Sequence, residues 1–375
     1  MTQPDALAAS PGTLDRLRIY YERNERRIAF VSFVGGFVFD ALTVERVDSW
    51  FTIGQQALYL AIVTAVLTNI LLEAGRPPVE LGRAFVLKRW YYRYRTAIVN
   101  FLLGTLLNLY TIFFFKSSSL LVSFSFMAFL VLLLAANESH RLKSLGLPLN
   151  FVLLSLCVLS FFASVVPVFA GTIGLVVFLV SMALGCLPLA GIAWWTGRRS
   201  PELLERARKQ ILLPLGFVLV GFLGFYLFRL IPPVPLSIPF IGVYHSVEKT
   251  GDGYRLSHER PWWRFWQNGD QNFLAQPGDK IYVFFRIFSP TRFSDQVQVR
   301  WFWKGARGWE LQDSIPINIV GGRAEGFRGY GVKSHWQPGA WKVQVETEDQ
   351  REIGRVYFVL ALAPEAPRAF EVDVQ

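Results

Sequence analysis

Pro-Pro-Val-Pro-Leu-Ser-Ile-Pro, residues 232–239, divides the chain into two stretches of unlike composition. Proline fixes φ and removes a backbone donor, so the stretch reads as a stiff, extended linker. Upstream of it the sequence is a series of long apolar runs; downstream, apolar and polar residues alternate over short segments broken by glycine and proline. The first pattern predicts membrane-spanning helices and the second predicts strands. The expected organisation is a tail at 1–27, a transmembrane domain at 28–231, the linker at 232–239, an all-β domain at 240–362 and a C-terminal tail at 363–375.

The 375 residues are 52% hydrophobic and 18% charged, with a mean hydropathy of +0.33, which argues against one soluble globular domain and against disorder. Seven segments are apolar enough to cross a hydrocarbon core about 30 Å thick: Ile28–Val44, Ile53–Leu72, Thr96–Phe115, Ser119–Ala136, Leu147–Ala170, Thr172–Trp195 and Ile211–Ile231. The fifth and sixth form one run interrupted at Pro167 and Gly171-Thr172. A tight hairpin of two full spans or a re-entrant pair both fit that break.

The net charge of +10 and a pI near 9.7 raise the question of nucleic acid, and the position of the cations answers it. The N-terminal tail and the second, fourth and sixth connections between predicted helices hold 18 Lys and Arg, against two (Arg46 and Lys116) in the other three. That asymmetry orients a multi-pass protein with these loops and the N-terminus in the cytoplasm, and seven crossings then place the C-terminal domain outside. Residues 235–375 carry a net charge of only +1, so the basicity belongs to the cytoplasmic rim and nucleic acid is not an expected partner. Lys88, Arg89, Arg93 and Arg95, interleaved with Trp90, Tyr91, Tyr92 and Tyr94, suit a lipid headgroup, a cytoplasmic partner or simply a basic-aromatic belt at the inner interface. Trp50, Trp194 and Trp195 fall at helix ends, where indoles settle at headgroup level. The first apolar segment reads as a signal anchor without a cleavage site. Cys157 and Cys186 both lie in predicted spans, so no disulfide framework is expected in the exported domain.

Downstream of the linker, Ala340–Glu346 shows the strand period most clearly: Trp341, Val343 and Val345 share one face, and Lys342, Gln344 and Glu346 the other. Similar segments at Ile241–Glu248, Tyr254–His258, Lys280–Ile287, Gln296–Trp303, Ser314–Val320, Phe327–Lys333 and Glu352–Leu360 make about eight strands. Turn signals such as Gly251-Asp252-Gly253 and Gln337-Pro338-Gly339 separate them. Eight short strands without a helix predict an antiparallel β-sandwich of immunoglobulin-like type. The ordered set Ile241-Gly-Val-Tyr-His-Ser-Val-Glu, Arg260-Pro-Trp-Trp-Arg-Phe-Trp, Pro277-Gly-Asp-Lys-Ile-Tyr, Ile319-Val-Gly-Gly-Arg, Gly326-Phe-Arg-Gly-Tyr and Pro338-Gly-Ala-Trp-Lys-Val-Gln-Val-Glu-Thr resembles a bacterial module, the domain of unknown function 2914. The resemblance spans roughly 232–362 and implies an extracytoplasmic unit behind membrane helices, in the inner membrane and periplasm of a bacterium. It brings no activity and no functional residues.

Eight of the 12 tryptophans lie in this domain. Trp262, Trp263 and Trp266 form a cluster with three readings: packing into a core or domain interface, resting on the outward-facing membrane–water interface beneath the domain, or a platform for a glycan. Trp301 and Trp303 share a strand face with Val297 and Val299 and are expected in the core. His245, His258 and His335 occur singly, without ligand-like spacing, so neither a metal nor a cofactor is expected. His258-Glu259 and Glu248 would make an acid–base pair only if the fold brought them together. Motifs of Ser hydrolases, zinc proteases, dithiol redox sites and phosphate loops are absent, and the glycine-rich run 321–331 joins two strands instead of opening a helix. No enzyme is expected.

Ionisable and polar residues inside spans are candidates by default. Asp40 comes out past the midplane of the first helix, with Asn108, Ser123, Ser125, Ser160 and Ser164 at comparable depth on the third to fifth. They compose either a polar layer open to the outside or serines bonded back to their own helices with Asp40 paired or protonated. Asn69, Glu73, Asn137, Glu138 and His140 are expected at the cytoplasmic boundary, in solvent. Two functions therefore stay open. One is an envelope protein whose sandwich binds a protein or a cell-wall glycan; the other is a transporter or channel-like protein built around Asp40.

Overall fold

The computed structural model describes residues 48–74, 86–117, 124, 128–129, 131–132, 146–251, 253–290, 293–322, 326–364 and 367–375, all within one compact unit, Arg46–Gln375. Among them five helices, not seven, are long and apolar enough to cross a membrane: α1 (Trp50–Glu73), α2 (Val86–Lys116), α3 (Leu147–Ala170), α4 (Leu175–Gly197) and α5 (Pro201–Leu227). The span expected at 28–44 lies outside the described residues, as does most of the one at 119–136. The apolar run across α3 and α4 resolves as two helices of 24 and 23 residues, each long and apolar enough for a full crossing. Gly171 ends α3 in the left-handed conformation (φ 71°), its N–H bonded to the Pro167 carbonyl, and the chain turns at once into α4. In α5, Ser200 caps the first turn by accepting the Leu203 N–H, and a π-turn spans Arg208–Leu212. Pro214 accounts for the wide turn: it lacks the N–H that would bond the Gln210 carbonyl, and its ring crowds that oxygen.

The β domain has three sheets. Strands β1 (Ser237–Tyr244), β5 (Ile281–Phe288) and β8 (Phe327–Lys333) form one, in the order β1-β5-β8. A five-stranded sheet has the order β4-β10-β9-β6-β7, from β4 (Asn272–Ala275), β6 (Ser294–Gly305), β7 (Gly308–Val320), β9 (Gly339–Thr347) and β10 (Glu352–Leu362). The third has the order β11-β3-β2, from β2 (Ser246–Thr250), β3 (Gly253–His258) and β11 (Glu371–Val374). Neighbours are antiparallel except β4 and β10. The first two sheets enclose the main core, with Val283, Phe285 and Ile287 of β5 facing Val299 and Trp301 of β6, Trp341 and Val343 of β9, and Phe358 of β10. The alternate residue Phe284 packs on the other face of β5 with Tyr244 and Leu256, under the small third sheet. The expected sandwich is present, and β5 serves two cores because both its faces are apolar.

Two expectations need correction. Residues 232–236 are not a free spacer. All five are buried, the Leu236 N–H closes a turn on the Pro233 carbonyl, and Pro232 and Val234 wall a space of only about 20 Å³ together with Phe114, Phe178 and Arg351. Apolar residues on both sides of the prolines make this segment a packed wedge between helices and sheet. The region 363–375 is likewise more than a tail, because Glu371–Val374 pairs with β3 and completes the third sheet.

The sandwich is bolted to one end of the bundle. The Ser294 N–H at the start of β6 bonds the Gly171 carbonyl of the α3–α4 turn at 3.0 Å. Asp295 accepts the Ile173 N–H at 3.2 Å and the Thr172 hydroxyl at 3.3 Å. From α5, the Tyr226 hydroxyl donates to Asp349 at 3.1 Å, Arg351 pairs with Asp349 at 2.7 Å, and the Arg351 guanidinium lies 4.5 Å above the Tyr226 ring. Three cationic and anionic contacts at the opposite end tie α1 to its neighbours. Glu73 accepts from Tyr92 and Arg95 of α2, both at 2.5 Å, and Arg206 of α5 bonds the Ala74 carbonyl.

Candidate functional site

The aromatic cluster of residues 262–266 stands on a loop whose two ends are tied together. The Asp270 carboxylate accepts the Glu259 N–H at 2.8 Å, the Asp270 N–H donates to the Val243 carbonyl at 2.8 Å, and the Arg260 guanidinium bonds the Gln267 carbonyl. A short 3₁₀ turn, Trp262–Arg264, occupies the tip. Gly269 closes the loop with φ 64°, and a Cβ there would stand 2.0 Å from the Val243 carbonyl oxygen, so only glycine fits. The side chains above this base point to solvent: Trp262, Trp263, Phe265 and Trp266 are 78%, 54%, 81% and 66% exposed. Packing into a core or domain interface is therefore excluded for the cluster. Trp301, by contrast, is fully buried as expected, while Trp303 is half-buried against the core edge.

Beside the loop runs an open groove of about 610 Å³ over the ends of β4, β9, β6 and β7 and the middle of β10. Trp266, Trp309 and Tyr357 supply aromatic walls, the last two with ring centroids 5.8 Å apart. Gln267, Gln271 and Asn272 line it with amides, and Arg264 and Lys304 with cations. Lys304 lies ten residues along β6 from Ser294, the residue bonded to the helical turn, which at about 3.3 Å per residue is roughly 30 Å. Along β10, Val359 is eight residues from Arg351, again more than about 25 Å. The groove thus lies toward the ends of β6 and β7 away from the residues that join the sandwich to the bundle.

Beneath the loop lies a polar cluster that the sequence spacing does not reveal. His245 reaches Glu259 at 3.6 Å and Asp270 at 3.5 Å, with its ring stacked on Phe273 at 4.0 Å. Burial, with the Arg368 guanidinium nearby, pushes the His245 imidazole down to about 4. Burial also pushes the Asp270 carboxyl up to about 6, against the Glu259 N–H it accepts. His258 pairs with Asp373 of β11 at 3.3 Å and Arg368 with Asp279 at 2.8 Å, which fastens the C-terminal strand. Glu259 therefore meets His245 and not its neighbour His258, and Glu248 lies across from Arg255 on an exposed strand pair. Among the described residues no group of His, Cys, Asp and Glu is placed to hold a metal ion.

Residues 294–360 match the model of a protein family of unknown function, DUF2914. The C-terminal sandwich contains a DUF2914-like module. The matched stretch runs from β6 to β10, so Trp309 and Tyr357 fall inside the DUF2914-like segment and the aromatic loop outside it, a narrower extent than the motifs at 241–282 suggest. No curated protein matches the chain. Among solved structures, an immunoglobulin-like protein from Pseudomonas aeruginosa aligns with 34% of this chain and 98% of its own, at 11% identity and a TM-score of 0.21. A β-glucosidase from Listeria innocua in complex with gluconolactone aligns with 32% of this chain and 17% of its own, at 11% identity and a TM-score of 0.18. The alkylpurine DNA glycosylase AlkC from Pseudomonas fluorescens aligns with 84% of this chain and 100% of its own, at 11% identity and a TM-score of 0.22.

The other candidates lie away from the DUF2914-like module. Asp40, Ser123 and Ser125 are outside the described residues. Asn108 is half-buried on α2 and Ser160 buried on α3. Ser164 donates to the Ser160 carbonyl at 2.8 Å, and Ser155 and Ser181 do the same four residues back at 2.7 Å, so these serines serve their own helices. At the basic end of the bundle Lys88 and Arg93 are exposed, and the Arg89 side chain lies outside the described set. Arg95 is committed to Glu73, and Tyr91 donates to Asn69 at 2.9 Å, so Asn69 and Glu73 are helix–helix contacts and not simply solvated. Arg198 and Arg199 lie 3.7 and 3.8 Å over Trp194 and Trp195, which makes a basic-aromatic belt of this end.

Proposed function

We propose that the chain is a multi-pass protein of a bacterial cytoplasmic membrane whose bundle holds the sandwich rigidly outside the cytoplasm, and that the distal aromatic end binds a component of the cell envelope. In this reading the protein is not an enzyme. One observation carries it: four large aromatic side chains stand exposed on a tied loop beside the groove, which lies toward the ends of β6 and β7 away from the joint with the bundle. Exposed apolar clusters of this kind mark interaction sites, because leaving indoles in water costs free energy that a partner recovers. The orientation is supported by the basic loops of Arg95, Arg198, Arg199 and Arg206, which gather at the end of the bundle away from the sandwich.

A photoreactive benzoylphenylalanine placed at Trp263 in the full chain, irradiated in native membranes, is expected to give a discrete adduct. The same residue at exposed Glu348, in the turn near the bundle, is expected to give none. No adduct at Trp263, or the same adducts at both positions, sinks the reading.

A further inference from the structure

We infer that the distal groove is a site for a carboxylated oligosaccharide. The inference rests on the proposal that this end of the sandwich is the binding end, and it names the chemistry of the ligand. Trp266, Trp309 and Tyr357 present flat, partly exposed rings across the groove. A pyranose has one face of C–H bonds, which settles on an electron-rich ring and leaves its hydroxyls pointing sideways. Amides both donate and accept, so Gln267, Gln271 and Asn272 suit the mixed demands of sugar hydroxyls better than charged groups would.

Charge sets the class of saccharide. Arg264 and Lys304 line the groove, no carboxylate among the described residues does, and neither cation has an ion-pair partner there. Lys342, across from Phe302 on the same sheet, lies 5.3 Å from the centre of the Trp309 ring, but Glu346 and Glu352 stand beside it, so the unpaired charge of the groove is that of Arg264 and Lys304. A neutral glycan would leave this field unanswered, whereas carboxylates along a sugar chain would meet it. A protein partner fits less well, since interface cores favour aromatics but are depleted of lysine.

The test uses the full chain in nanodiscs of zwitterionic lipid, read by intrinsic tryptophan fluorescence and calorimetry. The probes are hexagalacturonate, soluble peptidoglycan glycan fragments, neutral cellohexaose and a single-stranded oligothymidylate. A carboxylated probe should bind at least tenfold tighter than cellohexaose, and raised salt should narrow that gap. Lys304→Gln should bring its affinity close to the neutral level, and Trp309→Ala should weaken it at least fivefold. Trp309→Phe, which keeps a ring, should retain most of the affinity and so separates stacking from a folding defect. Absence of binding by both carboxylated probes, equal binding of cellohexaose, or tighter binding of the oligothymidylate overturns the proposal. A protein adduct at Trp263 without saccharide binding would overturn the ligand class and leave the distal binding end standing; no adduct removes both.

Discussion

Gly269 shows how a single position sets up the aromatic loop. Its positive φ and the Val243 carbonyl in the space of a Cβ leave no room for any other residue. Gly269→Ala should cost about 2–4 kcal/mol, from left-handed strain plus a backbone clash, and a melt of the purified chain should show the loss as a lower Tm. His245 and Asp270 make a second test at this scale. Between pH about 4 and 6 the folded pair is neutral on both groups, and the unfolded pair is charged on both, so the two states bind equal numbers of protons and their contributions to pH dependence cancel. Asp270→Asn leaves only the depressed imidazole, ordinarily near 6.5. The unfolded chain then binds the extra proton, and stability should fall as pH drops from 6.5 toward 4. His245→Gln leaves only the raised carboxyl, ordinarily near 3.8, and stability should fall as pH rises toward 6. Each slope approaches about 1.4 kcal/mol per pH unit. Tm measured across pH 4–6.5 checks the opposite signs, and slopes of the same sign in both variants contradict the assignment.

At the scale of elements, the strongest periodicities in the sequence correspond to real strands. Ala340–Glu346 sits within β9, with Trp341, Val343 and Val345 in the core, because a two-residue period aligned with a buried face leaves little ambiguity. The network on the outer face is not legible in the sequence: Arg300 bonds Glu346 at 2.9 Å, between strands far apart in the chain, and Gln344 bonds Glu352 at 2.5 Å across the β9–β10 pair. Strands β4 and β11, four residues each, were illegible because they are held by neighbours rather than by their own pattern. The prolines at 232–235 read as a spacer for a related reason. Their local stiffness is visible in the sequence, but the helix ends and strands that bury them are not. The joint at Tyr226, Asp349 and Arg351 was equally hidden, and it bears directly on rigidity. Arg351→Met should cost about 2 kcal/mol, since Asp349 is part-exposed and the full penalty of a buried broken pair does not apply. Hydrogen exchange should then rise at residues 347–351 and 226–231 and stay unchanged in β6 and β9. Uniform loosening of the whole sandwich would contradict a local joint.

For the molecule as a whole, the apolar helices and the alternating strands are each legible, because burial in lipid and burial in a core demand different periods of the same chain. The aromatic cluster is legible as a candidate, but its place is not, because only the fold sets it beside a groove whose Lys304 lies roughly 30 Å along β6 from the joint with the bundle. That separation is what the proposal of a distal binding end rests on. The most direct test of this arrangement is labelling of single cysteines with a membrane-impermeant maleimide, in a chain lacking Cys157 and Cys186. Trp262→Cys should be labelled fully in intact spheroplasts, and Glu205→Cys, at the basic end of the bundle, only after lysis. Labelling of Trp262→Cys only after lysis, or of Glu205→Cys in intact spheroplasts, would contradict the account.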